Sequence, residues 1–171
     1  MINSITLERD RYDRVLRLAL DHGARLVALA QGEDVPAANL ADKVDLASTL
    51  IDRLTAAGIA LDDLFVDPLV FPVSTDSRSA LATVGAIREL MMRFPGVHTV
   101  CGLTNVSYGL PARKLVNRMI LAGAIAAGLD AAIVDPTDAQ LMAAMLGAEA
   151  VFGRDEYCMN LIQAFQAGKL G

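Results

Sequence analysis

The sequence has no tryptophan, and aromatic residues make up only 5% of its 171 positions, whereas 54% of the residues are apolar. A core with few large rings must be filled largely by alanine, leucine, valine, isoleucine and methionine, which are typical of helices packed on a parallel sheet. The shortage of aromatic side chains therefore favours an α/β fold. A chain of this length predicts one domain over residues 1–171.

Basic residues are fewer than acidic ones. The sequence has 15 Lys and Arg and 20 Asp and Glu, which gives a formal net charge of −5. This balance argues against nucleic acid and against an anionic membrane surface as partners, since both attract clustered positive charge. No run reaches the roughly 18 apolar residues of a membrane span, and the first residues lack a signal-peptide pattern. We expect a soluble, cytoplasmic protein.

Cysteine and histidine are too few and too scattered for a metal site. Cys101 and Cys158 lack the spacing of a zinc site or a disulfide framework, so we expect both to be buried as small apolar residues. His22 and His98 have no histidine or carboxylate four residues later, which favours surface or helix-end positions over metal binding. No pattern of a catalytic serine or cysteine with histidine emerges.

Hydrophobic periodicity predicts alternating strands and helices. Short apolar runs predict strands near residues 1–5, 25–30, 64–67, 97–103 and 130–134. Helical patterns lie near residues 7–22, 39–57, 77–94, 112–128, 137–147 and 155–168. We expect Thr6 and Thr137 to cap helix starts, Asp76 or Ser77 to open the third helix, and Gly23 to end the first.

Repeated βα units indicate either a TIM-type (β/α)8 barrel or an open doubly wound sheet. The nucleotide-binding glycine motifs of the open sheet are missing, which favours the barrel. A complete barrel needs eight units and about 250 residues, whereas this chain supplies five units. Five strands leave two open edges, so we expect further N-terminal units, supplied by a second chain or lying outside this sequence. Rearranged self-association is the remaining alternative.

A polar, glycine-rich turn follows the fourth predicted strand and precedes a long helix. It reads Val100-Cys-Gly-Leu-Thr-Asn-Val-Ser-Tyr-Gly-Leu-Pro-Ala-Arg113. This run resembles the pterin-binding domain of the methyltetrahydrofolate:corrinoid methyltransferases, whose turn has the pattern Gly-Leu-(Ser/Thr)-Asn-(Val/Ile)-Ser-(Phe/Tyr)-Gly-Leu-Pro and then a basic residue. The resemblance extends over essentially the whole chain, matched to the last five units of that family's barrel.

Polar side chains at strand ends are candidate ligand contacts, because barrel enzymes build their sites at that face. The pattern places Asn3, Asp67, Asn105 and Asp135 there. The resemblance implies that Asn3 and Asp67 hold the pyrimidine edge of a pterin, with Gly102 and Ser107 in the same substrate-binding set. It also implies that Asn105 hydrogen-bonds near N5 as the catalytic residue, and that Arg113 reaches the aminobenzoate part of a folate.

Each of these residues also has a structural interpretation, since Asp and Asn commonly cap local turns. We favour the structural interpretation for Asp76 and Asp135, and the functional one for Asn105 because of the specific run around it. The methionines at helical positions are expected in the core; they are Met91, Met92, Met119, Met142 and Met145.

The resemblance implies transfer of the N5 methyl group of methyltetrahydrofolate to or from the cobalt of a corrinoid carried by a separate protein. It also implies a homodimer, and another pterin-contacting Asp from a strand upstream of Asn3. One alternative is a dihydropteroate synthase-like enzyme, although its Ser-Arg-Lys motif is absent here. The other is a non-catalytic pterin-binding or barrel-completing subunit.

Overall fold

Five parallel strands form one sheet in a computed structural model that describes residues 1–33 and 37–170. The strands are β1 (Ile2–Ile5), β2 (Leu26–Leu29), β3 (Leu64–Asp67), β4 (His98–Gly102) and β5 (Ala131–Ile133). Their order in the sheet is the order in the chain. Each predicted strand is present, with its ends moved by at most one residue.

Six α-helices separate and follow these strands in the described part of the chain. They are α1 (Arg9–His22), α2 (Leu40–Ala56), α3 (Ser79–Arg93), α4 (Arg113–Ala127), α5 (Ala139–Val151) and α6 (Met159–Gln166). Short 3-10 helices occupy Leu61–Asp63, Leu103–Ser107 and Glu156–Cys158. Gly23 ends α1 in the left-handed conformation, as the sequence predicted, with φ of 55°.

The predicted helix starts differ from the observed ones by a few residues. Asp138, rather than Thr137, caps α5, because its side chain accepts a hydrogen bond from the N–H of Leu141. Thr6 is also not the cap of α1, which begins after Glu8, although the Thr6 hydroxyl accepts a hydrogen bond from the Glu8 N–H at 3.3 Å. Several polar residues compete at each start, and sequence pattern alone does not rank them.

The sequential strand order decides between the two architectures that the sequence left open. Parallel crossovers are right-handed, so a strand order that never reverses places every crossover helix on the same face of the sheet. Alternate strand residues pack against these helices in two apolar clusters. Ile5, Leu26, Ala28, Leu64 and Val66 belong to the first cluster, and Cys101 to the second. The fold is α/β, five units of a TIM-type barrel.

The intervening strand residues face the opposite, concave side. Val27, Phe65 and His98 lie side by side in this row by hydrogen-bonded register. Within residues 1–33 and 37–170, no strand pairs with the outer edges of β1 and β5. Ile133 on β5 is 51% exposed. The predicted open edges are therefore present.

Burial corrects three expectations and confirms one. Cys101 is buried, but Cys158 is exposed because it lies in a turn with φ of 56° just before α6. Met92 and Met119 are exposed rather than part of the core. Among the described residues, no helix is both long enough and apolar enough to cross a membrane.

His98 joins two carboxylates at the start of β4. Its Nδ1 lies 2.6 Å from Asp130 Oδ2, its Nε2 lies 3.2 Å from Asp62 Oδ1, and its ring stacks on Phe65 at 4.6 Å between centroids. The hydrogen bond to Asp130 is the largest of the effects that raise the pKa of His98. A protonated His98 therefore stabilises this end of the sheet.

Replacing His98 by Gln should remove a pH-dependent part of the stability. Because the folded-state pKa of His98 is raised, its stabilisation is complete below the unfolded value of about 6.5 and is lost as pH rises through the folded value. The free energy of unfolding lost in His98→Gln should thus be larger at pH 5.5 than at pH 8.5 in urea titrations. His22→Gln, at the exposed end of α1, is the matched control. A difference that does not vary with pH would contradict this linkage.

Candidate functional site

Asp67 ends β3 with a carboxylate that is almost enclosed, since only 7% of the residue is exposed. Its Oδ1 accepts a hydrogen bond from the N–H of Leu69 at 2.8 Å. Burial raises the pKa of Asp67 to about 6, although the Leu69 N–H, the Lys43 ammonium and the Gly102 N–H each act to lower it. The carboxylate is ionised at neutral pH and keeps unused acceptor capacity for a ligand.

Asn3 lies within β1 rather than at its C-terminal end, which corrects its predicted position. Asn3 pairs in register with Val27 on β2, and Val27 pairs with Phe65 on β3. Phe65 precedes Asp67 by two residues, so the two side chains lie on the same face of the sheet. The strands of a TIM-type barrel tilt by about 36° to the barrel axis. Because of this tilt, the hydrogen-bonded partner on the next strand lies roughly one residue closer to the N-terminal end of the barrel. Across two strands this tilt brings Asn3 and Asp67 to a similar height on the concave side, where Asn3 is exposed.

Asn105 lies in the 3-10 helix that follows β4. Leu103, Val106 and Ser107 anchor this turn because all three are buried, while Thr104 and Asn105 are exposed. The backbone carbonyl of Asn105 accepts a hydrogen bond from the Tyr108 N–H at 3.1 Å. A buried inner side thus presents the Asn105 amide at the carboxyl edge of the sheet.

Ser107 and Arg113 hold this turn together through three hydrogen bonds. Arg113 donates from Nε to the Ser107 hydroxyl at 3.1 Å and from Nη2 to the Thr104 carbonyl at 2.9 Å. The Ser107 hydroxyl in turn donates to the Thr104 carbonyl at 3.2 Å. Ser107 is fully buried, which fits this bracing role, and its predicted contact with a ligand stays a prediction. The contact of Arg113 with an aminobenzoate remains a prediction.

Gly102 joins the two halves of the site. Its backbone N–H interacts with the Asp67 carboxylate and acts to lower the pKa of Asp67. The 3-10 helix that contains Asn105 begins at the next residue. A Cβ atom at Gly102 would meet no heavy atom within 4 Å. The space beside the Gly102 backbone is therefore open, which allows a flat ligand to approach closely.

The loop after β3 is tied to the turn that carries Asn105. The Val73 N–H donates to the Val106 carbonyl at 3.0 Å, and the Ser74 hydroxyl donates to the Tyr108 carbonyl at 2.7 Å. These residues belong to the Phe-Pro-Val-Ser-Thr run that continues β3. The two loops therefore form one rim.

Asp76 and Asp135 fit the structural interpretation. Asp76 Oδ1 accepts from the Arg78 N–H at 2.9 Å, just before α3. Asp135 Oδ1 accepts from the N–H and the hydroxyl of Thr137, at 2.9 and 2.7 Å. These hydrogen bonds lower the pKa of Asp135, which caps a local turn.

Lys43 was missed by sequence reasoning and is a buried cation next to the site. It lies on α2, is fully buried, and donates to the carbonyls of Pro68 and Leu69. The available signal was its position on the apolar stripe that continues through Ala47, Leu50 and Leu54, at helical spacing. A lysine on such a stripe needs an internal partner.

On the concave side, Asn3 and Ile133 are exposed, as expected of an open surface. Cavities of about 60 to 760 Å³ lie elsewhere and are lined by residues other than Asn3, Asp67 and Asn105. In the described ranges, no group of three His, Cys, Asp or Glu residues could hold a metal ion. Binding at this face must depend on the rim residues and on the floor formed by the strands.

Asp67→Asn should stabilise the folded chain at neutral pH. The folded-state pKa of about 6 exceeds the unfolded value of 3.8, so the contribution of Asp67 to stability is complete below 3.8 and is lost as pH rises through 6. Removing the charge should recover up to about 3 kcal/mol at pH 7 and little at pH 4. Urea titrations at both pH values measure this, with the exposed Asp52→Asn as control. A destabilised Asp67→Asn at pH 7 would contradict it.

Comparison with known proteins adds a family and several relatives. The family of pterin binding enzymes matches residues 1–135. The methylcorrinoid:tetrahydrofolate methyltransferase of Eubacterium limosum is 31% identical over 100% of this chain. The methionine synthases of Mycobacterium tuberculosis and Mycobacterium leprae are 37% and 36% identical, each over 78% of the chain.

The chain corresponds to only part of each of these relatives. It spans 64% of the Eubacterium limosum protein and 12% of each methionine synthase. The matched family region contains all five strands, together with Asn3, Asp67, Gly102 and the turn that carries Asn105.

Proposed function

The chain belongs to the family of pterin binding enzymes, and on that premise we propose that it binds methyltetrahydrofolate and acts in methyl transfer between the folate N5 and a corrinoid cobalt. The observation that carries this proposal is the shared rim. In this rim the buried Asp67 carboxylate lies next to the open backbone at Gly102. The turn that carries Asn105 begins directly after Gly102. The relative from Eubacterium limosum is named for transfer between a methylcorrinoid and tetrahydrofolate.

We propose that Asp67 and Asn3 form hydrogen bonds with the edge of the pterin ring. The pyrimidine part of a pterin offers adjacent N–H donors, which an ionised carboxylate accepts in pairs. An amide such as Asn3 supplies both a donor and an acceptor to the remaining ring atoms. The two residues share one face of the sheet, two strands apart, which roughly matches the width of a fused ring system.

Asn105 is the proposed group at the reacting nitrogen. When the bond from N5 to the methyl carbon breaks, its electron pair returns to N5, which gains a proton from solvent. An amide hydrogen bond that strengthens as N5 changes charge lowers the barrier without donating a proton itself. The corrinoid, on its own protein, supplies the metal electron pair that accepts the methyl group. This chain positions the folate.

The open edges of β1 and β5 favour a second possibility. A five-strand surface that binds a pterin could serve as a non-catalytic or barrel-completing subunit, because other strands would have to cover those edges. In either case we propose that residues 1–171 act as one domain whose open edges are covered by barrel units outside this sequence or on another chain. In the first case we also propose a homodimer with a corrinoid protein as partner.

Asn105→Ala should weaken folate binding and slow methyl transfer. Loss of one hydrogen bond predicts roughly two- to tenfold weaker binding of methyltetrahydrofolate by calorimetry. Loss of a donor used mainly in the transition state predicts a drop in transfer rate to free cob(I)alamin of about 100-fold or more. Gln140→Ala, at an exposed position on α5, is the control. Unchanged turnover in Asn105→Ala would remove its proposed role.

Gly102→Ala separates ligand binding from folding. The added methyl group meets no protein atom within 4 Å and the backbone there has φ of −80°, so the melting temperature should be nearly unchanged. If the open space holds the pterin, the methyl group should weaken methyltetrahydrofolate binding by about tenfold or more. Gly147→Ala, whose Cβ also meets nothing within 4 Å, is the matched control on α5. Equal folate affinity in both variants would place the ligand elsewhere.

A further inference from the structure

Lys43 is a fully buried cation in a protein whose other lysines are not in the core. It projects from the second turn of α2 toward the end of β3. Burial of an ammonium group is costly unless its three donors find partners. The partners of Lys43 are all in the segment that follows Asp67, which is the reason to ask what this lysine does for the site.

The Lys43 ammonium group donates hydrogen bonds to two successive backbone carbonyls. Nζ lies 2.8 Å from the Pro68 oxygen and 2.7 Å from the Leu69 oxygen, and it lies 4.6 Å from the centre of the Phe71 ring. A lysine that reaches two backbone oxygens and an aromatic face fixes the path of the chain over four residues. That path begins at the proposed pterin-reading carboxylate.

Leu69 connects Lys43 to Asp67 in both geometry and charge. Leu69 adopts a left-handed backbone with φ of 62°, which is unfavourable for a residue with a branched side chain. Its carbonyl is held by Lys43 and by the Thr83 hydroxyl, and its N–H donates to Asp67 Oδ1. The carboxylate is therefore oriented by a peptide unit that the ammonium group holds in place.

The same segment continues to the turn that carries Asn105. Beyond Phe71, whose carbonyl accepts from the Ser79 hydroxyl at 3.0 Å, the loop is bonded to Val106 and Tyr108 through Val73 and Ser74. Lys43 lies at the start of this series of contacts. A change at Lys43 should thus reach Asp67 first and Asn105 more weakly.

We propose that Lys43 is a positioning residue for the pterin site, whose buried ammonium group orients the Asp67 carboxylate through Leu69. This inference rests on the proposed function, since it gives Asp67 the task of binding a pterin. Lys43 does not touch the ligand in this account. Its effect is on the geometry and the charge of the residue that does.

The charges around Asp67 give the expected pH dependence. Burial raises the pKa of Asp67, and Lys43 on α2 opposes this rise. Burial lowers the pKa of Lys43 to about 8, although Asp67 and Asp42 act to raise it. Cys101 on β4 stays a neutral thiol, since its pKa is raised to about 12. Folate binding should therefore weaken as pH falls through about 6, and a neutral residue at position 43 should move that midpoint upward.

The test compares Lys43→Met, Lys43→Gln and Lys43→Arg in the 171-residue chain. Methyltetrahydrofolate binding is measured by calorimetry from pH 5 to pH 8, and the carboxyl group of Asp67 is titrated by carbon NMR without ligand, assigned with Asp67→Asn. Thr83→Val is the matched control, because it removes a hydrogen bond to the same Leu69 carbonyl without changing charge.

We expect both neutral variants to raise the Asp67 midpoint by about one pH unit, which leaves about half of the carboxylate ionised at pH 7 and so weakens folate binding there about twofold. Loss of the fixed carboxylate orientation should weaken folate binding at pH 7 several-fold further. Lys43→Arg should restore the midpoint, and Thr83→Val should leave it unchanged while weakening binding only slightly. An unchanged Asp67 midpoint in Lys43→Gln would overturn the proposal. So would loss of the fold in both neutral variants, since Lys43 would then act on the whole chain rather than on Asp67.

The outcome for the unsubstituted chain separates the two proposals. If it binds no methyltetrahydrofolate, the proposed function fails. The NMR titration still judges the coupling of Lys43 to Asp67, which a raised midpoint in Lys43→Gln would uphold.

Discussion

Parallel pairing in chain order is the constraint from which the rest of the molecule follows. Because each strand is hydrogen-bonded to the next one along the chain, every described strand ends at the same edge, and the crossover helices α1 to α4 lie on the same face. Residues far apart in sequence, such as Asp67 and Gly102, come into contact only through this order. It also leaves the concave face free of helices, so that the polar residues of the strands and loops can meet a ligand.

The site places two opposite charges among buried residues. Asp67 and Lys43 are both buried, and burial shifts the pKa of each toward its neutral form. Their separation is bridged by backbone groups rather than by a direct ion pair, with Leu69 donating to one and accepting from the other. Such an arrangement sacrifices stability at neutral pH to hold a carboxylate in a fixed orientation, as binding sites commonly do.

Much of the fold could be predicted from sequence, and less of the site. The strand at 64–67 was placed correctly, because an apolar run bounded by turn residues leaves few alternatives. The bracing role of Ser107 and Arg113 was not foreseen, since a serine and an arginine six residues apart give no sign that they face each other around a turn. Lys43 was overlooked because charged residues in amphipathic helices are usually assigned to the solvent side, and its partners are carbonyls more than 20 residues away.

The two hydrogen bonds that tie the loop after β3 to the turn after β4 have an evolutionary consequence. Groups linked through a shared scaffold do not respond independently, so substitutions in the two loops should show strong epistasis. A lineage that altered one loop to accept a different heterocycle would have to adjust the other loop in concert. The rim would then diversify as a single inherited unit, while the strands beneath it accumulated neutral changes one at a time.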